Sequence, residues 1–241
     1  MQTDQKYPRT ANYDQTWISE NWMGPNPLLL LEEVCAHMKL VPGMRVLDMG
    51  CGKGLTSVFL AKEFGVTVFA NDLWIDPSEN LKRFEAAAVA DTVFPLRAEA
   101  HQLPYAKGFF DAVIAIDSYQ YYGADELYFP CTLSPLVKEG GQFGIVVPGL
   151  VREFENGYPE TMKSFWTGEL FSFHSAAWWR ALWEKTGIAD ITSCYNIPDP
   201  KSIWLPWAQW SKEHLAFNDV EFLNADTNNE LALIAMTAVK K

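Results

Sequence analysis

Cysteine is scarce and unpaired in this sequence. Cys35, Cys51, Cys131 and Cys194 are scattered with no CxxC spacing, so neither a disulfide framework nor a thiolate zinc site is expected, and the thiols read as reduced and mostly buried. The four histidines are equally dispersed and no metal is expected. Basic residues are also few: 19 Lys and Arg stand against 30 Asp and Glu, a net charge of −11 with pI ≈ 4.8. So acidic a chain is not built around nucleic acid, whose phosphates demand a basic face. No apolar run approaches the roughly 18–20 residues of a membrane span. The polar start MQTDQKYPRTANYDQTW lacks the regions of a signal peptide, so a cytoplasmic protein without a membrane span is expected.

A dinucleotide fingerprint and a P-loop are missing too, although a glycine turn is present. Val46–Gly54, VLDMGCGKG, is an apolar strand running into a turn with Gly50, Gly52 and Gly54 at alternate positions, followed by the helical pattern Leu55–Ala61. Strand, glycine turn and helix start let backbone approach a nucleoside closely, because no Cβ intervenes. The dinucleotide version needs its third glycine where Leu55 stands, and the P-loop needs Gly-Lys-Ser/Thr after four intervening residues. Asp48 before the turn and Asp72 beyond the next strand suit a cationic nucleoside better than a pyrophosphate.

The remaining pattern is an alternation of strands and helices. A helix opens at Pro27 and runs to about Lys39, stopped by Pro42-Gly43. Strands follow at 45–49, 67–71, 93–97, 110–116 and 142–147, with helices at 56–64, 77–90 and 126–136 between them. This pitch predicts an α/β fold with a mostly parallel, doubly wound sheet covered on both faces. Ligands in such sheets bind beyond the carboxyl ends of the strands, which lines up Asp48, Asp72, Glu99 and Asp117. Past Val147 the composition shifts, and seven of the ten tryptophans lie beyond residue 160. Ser175–Lys185 reads as a serine-capped helix, and 188–197 and 231–239 as an antiparallel C-terminal hairpin interrupted by an insertion at 198–229, helical around 208–216. The expected organisation is a single domain: an N-terminal lid at 1–27, a domain at 28–241 with its cofactor-binding core at 40–150, and the insertion.

Across about residues 40–150 the chain resembles the class I S-adenosylmethionine-dependent methyltransferases, with their Rossmann-like fold. The resemblance rests on Asp48-Met49-Gly50-Cys51-Gly52-Lys53-Gly54, on Asn71-Asp72-Leu73 eighteen positions after Gly54, on Ala98-Glu99-Ala100-His101-Gln102-Leu103-Pro104, and on Phe109–Ser118. It implies that the glycine turn wraps the methionine part of the cofactor and Asp72 holds both ribose hydroxyls. It also implies that Glu99 and Ala100 border the adenine, with His101 and Gln102 as alternatives there. Asp48, Cys51, Leu73 and Asp117 complete the expected cofactor set. Asp48 has a second reading as the cap of a turn.

The Asp/Asn-Pro-Pro-Tyr/Phe motif used on amino groups of bases is absent after the fourth strand, where Asp117-Ser118-Tyr119-Gln120 stands. That absence and the acidic charge point to a small-molecule acceptor. Trp22, Met23, Tyr121, Tyr122 and Phe173 are the candidate acceptor-binding residues, with Trp17 and Phe171 beside them, and His174 is the candidate general base. Trp178, Trp179 and Trp183 read as core. Trp204, Trp207 and Trp210 read as a cap or the surface of a homodimer. A cofactor-binding module that has lost transfer chemistry is the alternative function.

Overall fold

The computed structural model describes residues 6–155, 157–215 and 218–241. Its centre is a seven-stranded sheet of β1 (Arg45–Met49), β2 (Thr67–Asp72), β3 (Val93–Arg97), β4 (Phe110–Ile116), β5 (Val137–Leu150), β6 (Ala189–Asn196) and β7 (Leu231–Lys240). The strand order is β3-β2-β1-β4-β5-β7-β6. The first five strands pair in parallel, and β7 runs antiparallel between β5 and β6. The chain therefore winds outward in one direction from β1 to β3 and in the other from β4 to β5. The β1/β4 boundary is the switch point where a crevice opens at the carboxyl edge.

Successive strand residues feed opposite faces, as the two-residue period of a strand requires. Val46, Ala112, Ile114 and Ile116 join one buried cluster, and Leu47, Val113 and Ala115 join the other. The helices are α1 (Gln15–Asn21), α2 (Pro27–Cys35), α3 (Leu55–Phe64), α4 (Pro77–Ala86), α5 (Ala176–Glu184), α6 (Pro200–Leu215) and α7 (Asp219–Ala225). Starts are chemically marked: Asn26 Oδ1 accepts from the Leu28 and Leu29 N–H groups, Asp76 caps α4 through Ser78 N–H, and the Ser175 hydroxyl caps α5 through Trp178 N–H.

Several boundaries differ from the sequence reading. The first long helix stops at Cys35 rather than Lys39, and α4 at Ala86 rather than Ala90, where Ala88 turns left-handed at φ 56°. The helix expected over 126–136 is a wide π-type turn, Tyr128–Leu133, followed by the 3-10 turn Ser134–Leu136. Pro130 and Pro135 remove two N–H donors from that stretch, so a regular ladder cannot form. β5 begins five residues early, at Val137, because Val137 pairs with Phe110 before an irregularity that leads to the Ala112–Gln142 pair. In the insertion, α6 starts at Pro200 rather than near Ala208 and contains Pro206. The end expected at Ala216 lies outside the described residues, as do residues 1–5 of the expected lid.

The tail tryptophans face inward. Trp179 and Trp183 are fully buried, and Trp183 stacks on Phe129 with ring centres 4.0 Å apart. Trp204 and Trp207 are buried as well, and Trp207 and Trp210 meet Trp22 edge-on at 6.0 and 6.1 Å. Of the two expectations for 204, 207 and 210, a cap or a dimer surface, the packing fits the cap: Trp207 and Trp210 join the insertion to the N-terminal segment, and Trp204 packs on Phe173 and Phe222. No helix among the described residues is long and apolar enough to cross a membrane.

Beneath β4 and β5, Trp183 Nε1 donates to the Tyr119 hydroxyl at 3.2 Å, and both groups are buried. Tyr119→Phe leaves that indole N–H unpaired and is expected to destabilise by about 1–3 kcal/mol. Adding Trp183→Phe should cost less than the sum of the two single changes. Urea denaturation of the four proteins checks this, and strict additivity would show that the hydrogen bond contributes nothing.

Candidate functional site

At the carboxyl edge, β1 and β4 end so close together that only glycine fits between them. Gly50 has φ 69°, and a Cβ placed on it would stand 2.4 Å from the Ser118 Cβ. Ser118 locks the contact by donating its hydroxyl to Met49 O at 2.7 Å, and the N–H groups of Gly50 and Cys51 donate to Asn71 O at the end of β2. The turn ends at Gly54, left-handed at φ 81°, and α3 starts with no side-chain cap of its own. Asp48 supplies the anchor. Its Oδ2 accepts from the Thr56 and Ser57 hydroxyls at 2.6 Å each, and burial pushes its carboxyl up to about 6 against those two hydrogen bonds.

Asp72 closes the floor of the crevice. Its Oδ2 accepts from Gly52 N–H at 2.8 Å, and its Oδ1 from Trp74 N–H at 2.8 Å and Ile75 N–H at 3.0 Å. One carboxylate therefore fixes both the glycine turn after β1 and the turn after β2. Glu99 lies farther out. Its oxygens engage His101 N–H and Nδ1, each at 2.9 Å, and the hydrogen bond to the His101 ring holds its carboxyl below the usual range.

These residues surround one cavity of about 270 Å³. Its wall contains Gly50, Cys51, Gly52, Asp72, Leu73, Glu99, Ala100 and Asp117 from the expected cofactor set, and Met23, Tyr121 and Tyr122 from the expected acceptor set. Met23 lies over the glycine turn, its Sδ 3.1 Å from where a Gly52 Cβ would stand. Lys53 Nζ reaches back to Glu20 O at 3.0 Å, which holds the N-terminal segment over the opening.

Asp117 has the least ordinary environment. It is a non-glycine residue at φ 52°, its Oδ1 accepts from Gln120 Nε2 at 3.2 Å, and its Oδ2 lies under Gly24. A Cβ on Gly24 would fall 1.9 Å from that oxygen, so a larger residue there would displace the Asp117 carboxylate. Burial raises the Asp117 carboxyl to about 7, Gln120 opposes the rise, and the Asp219 carboxylate adds to it.

Five of the expected site residues lie outside the wall. Asp48 is spent on anchoring α3, which is its turn-capping reading, and Gly54 belongs to the helix start, where a Cβ would meet the Phe84 ring at 2.4 Å. Trp22 is buried against Trp207 and Trp210, and Phe173 is buried beside Trp166 and Trp204. His174 stacks flat on Trp178 at 3.6 Å, and its Nδ1 lies 3.1 Å from Glu153 Oε2, while Glu153 Oε1 receives Ser175 N–H. The pair fastens the start of α5, and His174 is not among the described residues that line the cavity. The wall also holds residues that the sequence reading did not select, among them Asn21, Gly24, Asn71, Trp74 and Ser118. Trp74, exposed and edge-on to Tyr121 at 6.1 Å, carried a signal: it is a tryptophan two positions past a strand-ending acid.

A carboxyl raised to about 7 makes a testable mark on stability. Between about pH 4 and 7 the folded protein keeps a proton on Asp117 that the unfolded chain has released, so this group's contribution is lost as pH rises through that window. Asp48 acts in the same direction up to about 6 and is untouched by a change at 117. Asp117→Asn is expected to melt above the wild type at pH 8, with the gap shrinking toward pH 4. A gap of about 2–4 °C corresponds to roughly 1 kcal/mol for a chain this long. Thermal unfolding across the range measures it, and a gap independent of pH would rule out titration of Asp117 there.

The match to known proteins falls on this same region. Residues 46–141 match the model of a methyltransferase domain. The methyltransferase GfsG of Streptomyces halstedii is 32% identical over 90 residues, 37% of this chain and 32% of that one. The chain spans about a third of the length of the curated relatives it matches, 32% to 40%. A phosphoethanolamine N-methyltransferase from Haemonchus contortus superposes with a TM-score of 0.74 at 22% identity, covering 98% of this chain and 58% of that one. The cyclase SpnF superposes with a TM-score of 0.69 at 17% identity, covering 88% and 79%. At these identities the structural likeness establishes the fold. With its strand order and its glycine turn, the chain has the fold of these neighbours, and its residues 46–141 match a methyltransferase domain.

Proposed function

We propose that this protein transfers a methyl group from S-adenosylmethionine to a small-molecule acceptor. The observation that carries the reading is Asp72, a buried carboxylate that spans the turns after β1 and β2 at the floor of the cavity. The residues present suit the cofactor. Glycine backbone with no room for a Cβ suits the methionine part, and Asp72 suits vicinal ribose hydroxyls. Leu73, Trp74 and Ala100 supply apolar surface for the adenine. Asn71 adds a buried Oδ1 with no donor among the described residues. When bound, the cofactor supplies a methyl group on a positively charged sulfur, open to in-line displacement.

The chain's own contribution is alignment and exclusion of water. The segment from Asn21 to Pro27 acts as a lid, since Asn21, Met23, Gly24, Pro25 and Pro27 all line the cavity. Apolar walls with a few acids suit a small organic acceptor, and the acidic surface disfavours nucleic acid. Four free cysteines fit the reducing cytoplasm, where we place the protein. One observation favours a second reading, a cofactor-holding protein without transfer activity: His174, the histidine expected as base, lies outside the cavity.

Calorimetry with S-adenosylmethionine and its demethylated product tests the first reading. Both are expected to bind, and Asp72→Ala to weaken binding by about 100-fold or more, because two charge-assisted hydrogen bonds of about 1.5–3 kcal/mol each are lost. No binding of either compound would overturn it. Tight binding with no labelled methyl transferred to any of a panel of amines, phenols, thiols and carboxylic acids would establish the second reading instead.

A further inference from the structure

Although the chain carries a net charge of −11, two cations meet beside the cavity with no acid between them. Lys53 stands in the cavity wall, between Gly52 and Gly54 of the turn after β1. Its ammonium donates to Glu20 O at 3.0 Å, its one hydrogen bond among the described residues, which leaves two of its three N–H groups unused. Among those residues it pairs with none of the wall's acids, Asp72, Glu99 or Asp117. Arg83 of α4 is fixed behind the same turn. Its Nη1 donates to Asn80 Oδ1 at 3.0 Å, and the buried Asn80 donates through Nδ2 to Gly52 O at 2.8 Å. Asn80 thus ties the guanidinium to the residue before Lys53, and Phe84 presses α4 on the turn, 2.4 Å from where a Gly54 Cβ would stand.

Both cations are half-buried, and like charges held near each other raise each other's free energy. Burial holds the Lys53 ammonium below the usual lysine range, and the Arg83 guanidinium adds to the fall. The neighbouring Lys82 is treated differently, since it forms an ion pair with Glu79. Leaving Lys53 and Arg83 without an acid has a cost that an entering anion relieves. The place suits a ligand as well. Met23 of the lid lies over Gly52, and Lys53 reaches from the turn to the end of α1, so an anion at Lys53 sits where lid and turn meet.

We propose that Lys53, backed by Arg83, forms an anion subsite at the mouth of the cavity and takes a carboxylate. The proposal rests on the methyl-transfer reading above and adds a charge requirement to it. Two molecules can bring that group: the cofactor, in its methionine part, and the acceptor. In either case the carboxylate accepts from the unused N–H groups of Lys53, while Glu20 O keeps the third. A lysine ammonium is a compact point charge whose donors rotate to meet the ligand. Arg83 acts from behind, through the potential it sets at Lys53, so its loss weakens the subsite less than loss of Lys53. Asp72, Glu99 and Asp117 make the rest of the wall unfavourable to a carboxylate. The subsite therefore decides which way round an anionic ligand lies.

Calorimetry tests this with the demethylated cofactor product and its decarboxylated form, which keeps the amine and lacks only the carboxylate. Wild type, Lys53→Met, Lys53→Arg and Arg83→Met are titrated with both. If the cofactor brings the carboxylate, wild type should bind the full product about tenfold or more tighter than the decarboxylated one. Lys53→Met should bring that ratio to within about threefold of unity, Lys53→Arg should keep most of it, and Arg83→Met should fall between. If the acceptor brings it, the two cofactor forms bind wild type alike. Benzoate should then bind the product-saturated wild type about tenfold or more tighter than benzyl alcohol, and Lys53→Met should lose that preference. A purely structural role for Lys53, holding α1 through Glu20 O, weakens charged and uncharged ligands equally and leaves both ratios unchanged, which overturns the proposal. Absence of both preferences in the wild type overturns it too. Failure of the wild type to bind either cofactor form is a different result, and removes the methyl-transfer reading itself.

Discussion

The site depends on how closely β1 and β4 can finish side by side at the switch point of the sheet. Parallel strands wound in opposite directions leave a crevice there, but its depth depends on what stands between the two chain ends. Gly50 brings no Cβ against Ser118, and Ser118 closes the gap with a hydrogen bond to Met49 O. With the turn fixed, Gly52 N–H comes within reach of Asp72. Asp48 then ties the first turn of α3 back to β1 through two hydroxyls. Four chain segments converge through polar contacts made almost wholly with backbone or short side chains, so the space above them stays open for a ligand.

Much of this was legible in the sequence, because the fold signal is local. Glycines at alternate positions after an apolar strand, an acid ending the next strand, and helices between buried strands each follow from backbone sterics and burial within a few residues. The doubly wound, mostly parallel sheet and its antiparallel tail follow from those cues. Where the reading failed, the deciding contacts were distant in sequence. His174 looked like a base by residue type, yet its partners are Trp178 and Glu153, and nothing near it in the sequence shows that. Trp22 and Phe173 looked like pocket walls because they are large and apolar. The tertiary packing buries them against the insertion instead. The 126–136 helix failed for a local reason that was available: Pro130 and Pro135 both lie within it.

The tryptophan-rich tail takes on a different meaning once the rings are placed. Trp22 at the end of the N-terminal segment packs edge-on against Trp207 and Trp210 of α6, while its neighbours Met23 and Gly24 lie over the glycine turn and Asp117. Insertion and N-terminal segment therefore share two edge-on aromatic contacts. Edge-to-face aromatic pairs contribute about 0.5–1.5 kcal/mol beyond their burial, which helps hold this short segment in place. Among the described residues the tail contributes nothing to the cavity wall, and its contact with the cavity runs through the N-terminal segment that Trp22 ends.

That arrangement also bears on how a strained acid with one side-chain partner, Gln120, persists in a stable fold. In the ligand-free protein, Asp117 lies below a lid, faces no cation in the described wall and feels Asp219, so the neutral form is favoured up to about pH 7. Any cation that enters the cavity favours the ionised form, and by linkage the ionised form favours the cation by the same free energy. The residue thus weakens the empty state and strengthens the occupied one. A neutral side chain in its place would relax the empty protein and surrender that difference, which is why the strain is retained where a cation can relieve it.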